Sequence, residues 1–134
     1  MLPSRSQLRR LACGLALALV AAIACGGDKP EPELSPERKE QRELADLADG
    51  LRASIDDSIG DCKKMGAAMA AWHAENGARF DALRLKHQKL PGDDWSRWNQ
   101  MLLAINRAQT CVGNAMIGMD DPEVKRVLGE LKLD

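Results

Sequence analysis

The spacing of apolar residues constrains this chain more than any other feature of its sequence. After Cys25, no segment alternates apolar and polar residues as a half-buried strand does. Apolar side chains recur instead at steps of three and four, which places them on one face of a helix. The first stripe comprises Leu44, Leu47, Leu51, Ile55, Ile59, Cys62, Met65, Met69 and Trp72. The spacing predicts an all-α fold.

Local signals predict where the first helices begin and end. Ser35-Pro36-Glu37 supplies a cap residue, a first-turn proline and an early acid. Gly60 favours a kink or break, although the stripe keeps its phase across it. Asn76-Gly77 favours a second break, as a helix C-cap. Residues 78–89 are then predicted to form a short helix, and residues 90–94 a turn.

Two further helices are predicted in the C-terminal part. Asp94 is expected to cap a helix with one apolar face, which comprises Trp95, Trp98, Leu102, Ile105, Val112 and Met116. Asp121-Pro122 opens a last short helix, whose stripe is Val124, Val127, Leu128 and Leu131. Residues 36–134 are therefore predicted to form a small antiparallel helical bundle of three to four helices.

The first 24 residues have the layout of an export signal. Arg5, Arg9 and Arg10 precede an uncharged apolar run over residues 11–24. A basic start followed by an apolar run is typical of a signal peptide. The run is too short to cross a bilayer, which takes about 20 apolar residues. A buried N-terminal helix or a short anchor is the alternative.

The end of the apolar run carries a cleavage motif. Ala22-Ile23-Ala24-Cys25 resembles the lipobox of bacterial lipoproteins, with Ala22 in place of the usual Leu. The resemblance implies that residues 1–24 are removed and that Cys25 is lipidated through its sulfur. Ordinary cleavage that leaves Cys25 as a thiol is the alternative. Gly26 follows the cysteine, which by the family's sorting rule implies the outer membrane in a Gram-negative cell.

Residues 25–35 are predicted to be a flexible tether, because glycine and proline interrupt them and no apolar period runs through them. A lipid anchor with two or more acyl chains holds a protein stably at a membrane. The resemblance therefore implies a domain held at the cell envelope through Cys25. Beyond the lipobox, the helical domain resembles small bacterial lipoproteins without an assigned role, and no specific family.

The remaining cysteines favour a disulfide. Cys13 lies in the leader, so Cys62 and Cys111 are left in an exported domain, where such a pair most often forms a structural bridge. A redox or metal-binding thiol pair is the alternative, although the usual C-x-x-C spacing is missing. A helix unbroken through Gly77 would leave the two cysteines at depths that differ by roughly 10 Å, so the bridge also favours a break there.

Charge and motif content exclude several function classes. Removal of the leader leaves 16 basic against 20 acidic residues, without the concentrated basic face that a nucleic-acid partner requires. The sequence contains no Gly-x-Ser-x-Gly motif and no phosphate-binding glycine loop. Adjacent acids such as Asp56-Asp57 project in different directions on a helix, so they do not form an acid/base pair. The chain is therefore not expected to be an enzyme or to need a cofactor.

Two groups of side chains are candidate sites. Met65, Met69 and His73 lie at i, i+4 and i+8, and such ligands suit copper(I) or a b-type haem, although core packing is the simpler interpretation. Trp95 and Trp98 share a helix face that either closes the end of the bundle or contacts a protein partner or lipid headgroups. The favoured function is a lipid-anchored interaction or structural module with an envelope protein partner. A periplasmic copper or haem carrier is the alternative.

Overall fold

Four α-helices make up most of the part of the chain that the structure describes. The computed structural model describes residues 32–133, and Cys25, the predicted signal peptide and most of the tether lie outside them. The described residues form four α-helices, namely α1 (Pro36–Asp56), α2 (Cys62–Lys86), α3 (Gly92–Ala108) and α4 (Pro122–Leu131). Two 3-10 turns, Gln109–Cys111 and Ala115–Ile117, separate α3 from α4. The all-α prediction is confirmed, and no strand forms within residues 32–133 beyond one isolated bridge.

Three of the helix starts carry a side-chain cap. Ser35 accepts a hydrogen bond from the Arg38 amide at 3.2 Å, and Asp121 accepts from the first amides of α4. Both starts agree with the sequence prediction, and Asp61 caps α2 in the same way. The prediction that Asp94 caps α3 is wrong. α3 begins at Gly92 without a side-chain cap, and Asp94 is instead buried in the first turn.

Ion pairs between the helices show their directions. Arg79 on α2 pairs with Glu43 on α1, and Lys86, later on α2, pairs with the earlier Glu40, so these two helices are antiparallel. Arg97 and Arg107 on α3 pair with successively later acids of α1, so α3 runs parallel to α1. α4 packs on α2, and His73 lies 3.3 Å from Glu130. Consecutive helices therefore alternate in direction, as in an up-down-up-down bundle.

This topology gives the bundle two ends, for which we use two names. The leading end holds the start of α1, the α2–α3 connection and the end of the chain, that is residues 36–41, 84–95 and 132–133. The disulfide end holds the opposite termini, that is residues 55–62 and 107–121. The core between the ends is built from aliphatic and methionine side chains around a single phenylalanine, Phe80.

Aromatic contacts connect α2 to α3 inside that core. Phe80 is stacked on Trp98, with ring centroids 5.6 Å apart, and meets Trp72 edge-on at 5.4 Å. Phe80 is fully buried, and Trp98 is partly buried against the core. Such aromatic pairs stabilise a fold beyond the area that they bury. In a chain with so few aromatics, these three rings join the two helices near the leading end.

The break between α1 and α2 lies where Gly60 predicted it. Gly60 has φ +86°, a conformation that suits glycine, and α1 ends at Asp56. The apolar stripe nevertheless does not continue through this turn, since Ile59 is 55% exposed. The placement of Ile59 on the core face was therefore wrong. Its spacing matched the stripe, but the residues of the turn do not follow the helical rotation.

The predicted break at Gly77 is wrong, because α2 continues to Lys86. A Cβ atom at Gly77 would lie 2.7 Å from Cδ2 of His73, so this glycine makes room for an imidazole one turn earlier. The residues from Ala78 onward therefore belong to α2 and not to a separate helix. Close packing, and not chain reversal, accounts for glycine at this position.

The predicted Cys62–Cys111 disulfide is present without a break at Gly77. The two Cα atoms are 5.4 Å apart. Cys111 lies in a 3-10 turn, which rises about 2.0 Å per residue, compared with 1.5 Å in an α-helix. Over three residues this adds only about 1.5 Å. Most of the predicted mismatch in depth arose because the helix ends were misplaced: α2 stops at Lys86 and not at residue 89, α3 already begins at Gly92, and the non-helical residues 87–91 supply further length.

The apolar face of α3 ends earlier than predicted. α3 stops at Ala108, so Val112 and Met116 are not on its face, and Met116 is fully exposed. Trp98, Leu102 and Ile105 do pack on the core.

Over residues 32–133, no helix has both the length and the apolar character that a bilayer-spanning segment needs.

Candidate functional site

A cleft of about 370 Å³ opens between α2 and α3 at the leading end. α4 packs on α2 but has ten residues, whereas α2 has 25, so the last helix covers only part of the groove. The cleft lies beyond the end of α4. Its lining residues are Leu44, Arg84, Leu85, His87, Gln88, Leu90, Trp95, Trp98, Leu102, Lys132 and Leu133.

Apolar side chains form both the floor and the rim of this cleft. Leu44 is buried and Trp98 and Leu102 are partly buried against the core, so these three belong to the floor. Leu85 is 71% exposed and Trp95 is 48% exposed, and they contribute apolar surface to the rim. Large apolar side chains that are exposed beside a depression make this surface a candidate contact site.

Two cations, Arg84 and Lys132, line the cleft together with His87. None of the lining residues within 32–133 is acidic. Arg84 Nη2 donates to Asp81 at 3.1 Å, and Arg84 Nε is buried without a hydrogen-bond partner among the described atoms. Lys132 has no acid within salt-bridge distance in residues 32–133, so its charge faces outward unpaired there.

The connection between α2 and α3 forms one side of the cleft, and the Glu40 carboxylate joins it to α1. Glu40 Oε2 lies 2.7 Å from Nε2 of buried His87 and 2.7 Å from Nζ of Lys86. Hydrogen bonds from Lys86 and then His87 lower the pKa of Glu40 below its ordinary value. One turn further along α1, the bond from Arg79 lowers the pKa of Glu43 in the same way. These contacts hold the end of α2 against the start of α1.

Both tryptophans of the predicted patch line the cleft, but their surroundings differ. Trp98 stacks on Phe80 and helps to build the core. Trp95 lies one turn nearer the start of α3 and is about half exposed. Trp95 is therefore the member of the pair that is available to a partner, whereas Trp98 contributes mainly to packing.

The methionine–histidine stripe is divided between core and surface. Met65 and Met69 are fully buried in the core, where flexible thioether side chains fill gaps well. His73 is partly exposed and its Nδ1 atom faces Glu130. Within the part of the chain that the structure describes, no group of three His, Cys, Asp or Glu side chains is arranged to hold a metal ion.

The disulfide end exposes a second apolar surface. In the loop over residues 112–120, Met116 is fully exposed and Ile117 is 68% exposed. The loop is braced at its base, where the Gly113 amide donates to Asp120 at 2.8 Å and the Asp121 amide donates to the Cys111 carbonyl at 3.0 Å. The disulfide lies beside this base, so the loop presents its apolar tip from a covalently fixed position.

Sequence reasoning missed Leu85 and the basic residues of the cleft. Phe80, Leu83 and His87 lie at i, i+3 and i+7 and are buried together, whereas Leu85 falls off this stripe. The position of Leu85 off this buried stripe could have predicted that its side chain is exposed. Lys132 and Leu133 follow the last helix, and their position beside α2 and α3 depends on tertiary packing.

The fold and the cleft define a small disulfide-bonded four-helix bundle with an apolar, basic groove at one end. No protein-family model matches the chain, and no curated protein or solved structure is significantly similar to it.

Proposed function

We propose that this protein is a lipid-anchored lipoprotein of the bacterial cell envelope, and that its helical domain acts as a protein interaction or structural module. The observation that carries the proposal is the distribution of cysteines. Cys62 and Cys111 are joined to each other, whereas Cys25 completes a motif that resembles a lipobox. Cys25 thus has a separate chemical role, which is the attachment of lipid.

The disulfide supports the predicted compartment. Structural disulfides persist in oxidising environments outside the cytoplasm and are rare within it. A bridge between Cys62 and Cys111 is therefore consistent with export by the basic and apolar leader of residues 1–24. With lipid on Cys25, the domain would remain at the envelope after export.

The shape of the domain supports a role in contacts and not in catalysis. The disulfide end projects the braced loop with Met116 and Ile117, and exposed apolar residues on a rigid support suit a protein interface. We assign this loop to the protein partner. The alternative of a copper or haem carrier has less support, because Met65 and Met69 are enclosed in the core.

Mass spectrometry of the intact protein from its own membranes tests the anchor. We expect a chain that begins at Cys25, carries acyl groups, and releases two thiols only after reduction. A matched Cys25→Ala variant should lack the acyl mass. In the same cells, a photo-crosslinking residue at Met116 should give a discrete adduct with an envelope protein, whereas one at exposed Ala67 on α2 should not. An unacylated chain, or no adduct at Met116, would contradict the corresponding half of the proposal.

A further inference from the structure

We propose that the leading end of the bundle, with its Trp95 cleft, lies on the surface of an anionic phospholipid bilayer, the membrane that holds the Cys25 anchor. This inference rests on the proposed lipidation of Cys25. It assigns the cleft to lipid headgroups, whereas the disulfide end remains free for a protein partner. Four observations carry it, namely the point where the chain enters the bundle, the reach of the tether, the exposed apolar rim and the charge of the cleft.

The chain enters the bundle beside the cleft. α1 starts at Pro36, and Pro36, Glu37 and Glu40 line a shallow depression together with Lys86 and His87. His87 also lines the Trp95 cleft, so the depression at the start of α1 adjoins the cleft. A tether that joins α1 from the membrane therefore arrives at the leading end.

The reach of the tether brings this end close to the bilayer. Ten residues separate Cys25 from Pro36, and a chain of that length spans at most about 36 Å even when fully extended. α2 has 25 residues, so at 1.5 Å per residue the bundle is about 37 Å long. The leading end is thus within easy reach of the membrane surface, whereas the disulfide end lies a full bundle length further along the domain.

The rim of the cleft has the side chains that suit a membrane interface. Trp95 is about half exposed and Leu85 is mostly exposed, and both flank the opening. A tryptophan ring combines an apolar body with a polar N–H group, and such rings are enriched at the headgroup level of bilayers. In water, both side chains leave apolar surface exposed that the headgroup region would cover.

The charges of the cleft complement phospholipid phosphates. Lys132 and Arg84 line it, although Arg84 also pairs with Asp81 at 3.1 Å, and Lys89 is exposed on the adjoining connection. None of the lining residues within 32–133 is acidic. Two of the four acids of the leading end are engaged, since Glu40 pairs with Lys86 and the buried Asp94 pairs with Arg38. Glu37 and Asp93 are exposed and do not line the cleft. Basic groups near a bilayer are attracted to anionic lipids, which favours contact through this face.

Fluorescence quenching by lipid tests the proposed orientation. The acylated protein, which begins at Cys25, is reconstituted into vesicles of phosphatidylethanolamine and phosphatidylglycerol, with brominated acyl chains as the quencher. We expect quenching of the wild-type tryptophan emission and loss of this quenching in Trp95→Phe, which retains the core pair of Trp98 and Phe80. A Met116→Trp substitution in the Trp95→Phe background should not restore it, because residue 116 lies at the disulfide end.

The outcomes separate this inference from the proposed function. Intact mass is measured on the same preparation. An acylated Cys25 with no quenching that depends on Trp95 would overturn the membrane-facing cleft and leave the lipoprotein proposal standing. Equal quenching of a tryptophan at position 116 would also overturn it, since the domain would then have no preferred end at the membrane. A chain without acyl groups would overturn both.

Discussion

At the scale of single residues, two glycines of α2 are explained by what lies against them. A Cβ at Gly66 would overlap Asp121 Oδ1 and lie 2.7 Å from Asp121 Cγ, and a Cβ at Gly77 would collide with His73. Asp121 accepts hydrogen bonds from the first amides of α4. Gly66 therefore lets the cap of α4 approach α2 closely. Gly129, within α4, has open space where its Cβ would be.

Substitution of Gly129 and of Gly66 by alanine should change the stability of the domain in opposite directions. Gly129→Ala should raise the free energy of unfolding by up to about 1 kcal/mol, because alanine is the better helix former. Gly66→Ala has the same local gain but displaces the Asp121 carboxylate, whose cap stabilises α4 by about 1 kcal/mol, and forces the two helices apart. We expect Gly66→Ala to be less stable than the wild type. Urea unfolding monitored by circular dichroism measures both, and equal stabilisation by the two variants would contradict this account.

At the scale of helices, charged side chains align α3 with α1. Arg97 Nε donates to Asp49 at 2.6 Å, its Nη2 donates to Asp46, and its Nη1 lies 3.6 Å from Asp94. The hydrogen bond to Asp46, followed by the one to Asp49, raises the pKa of Arg97. Arg126 on α4 also makes short ion pairs, but only with Glu123 and Glu130 of its own helix.

We expect removal of Arg97 to cost more stability than removal of Arg126. Arg97→Gln removes the cation that Asp46, Asp49 and the buried Asp94 share, although Asp94 keeps its pair with Arg38, and should lower the free energy of unfolding by about 1 kcal/mol. Arg126→Gln removes pairs within one exposed helix and should cost less than about 0.5 kcal/mol. Urea titrations at low and high salt measure this difference, and salt should reduce it. Equal losses in the two variants would show that Arg97 does not join the helices.

At the scale of the whole molecule, the disulfide stabilises the end of the bundle at which we propose that the protein partner binds. It connects the start of α2 to the turn after α3, and these residues are 49 positions apart in sequence. The same end carries the start of α4 and the braced loop over residues 112–120. The bridge therefore acts on the arrangement of three helices and not on one local contact.

The bridge should contribute much of the stability of the domain. Closing a loop of this length restricts the unfolded chain, which stabilises the native state by about 4 kcal/mol. Replacing both cysteines, as Cys62→Ser with Cys111→Ser, should remove that contribution and shift the urea midpoint downward, while helical content is retained. Wild-type protein under reducing conditions is the matched control and should unfold at a similar urea concentration. An unchanged midpoint in the double variant would argue against this contribution.

Local sequence signals determined the all-α class, the helix starts at Ser35 and Asp121, and the pairing of Cys62 with Cys111. Apolar spacing and capping groups act within a few residues, and within residues 32–133 the two cysteines have only each other to pair with.

Tertiary structure alone decided the rest. Gly77 lies inside a helix because His73 packs against it, and Trp95 is exposed while Trp98 is stacked on Phe80. The cleft exists because α4 ends before it covers the groove beside α3. A stripe of apolar residues indicates that a helix face will be buried, but which neighbour covers it, and how far along, depends on the lengths and packing of elements distant in sequence.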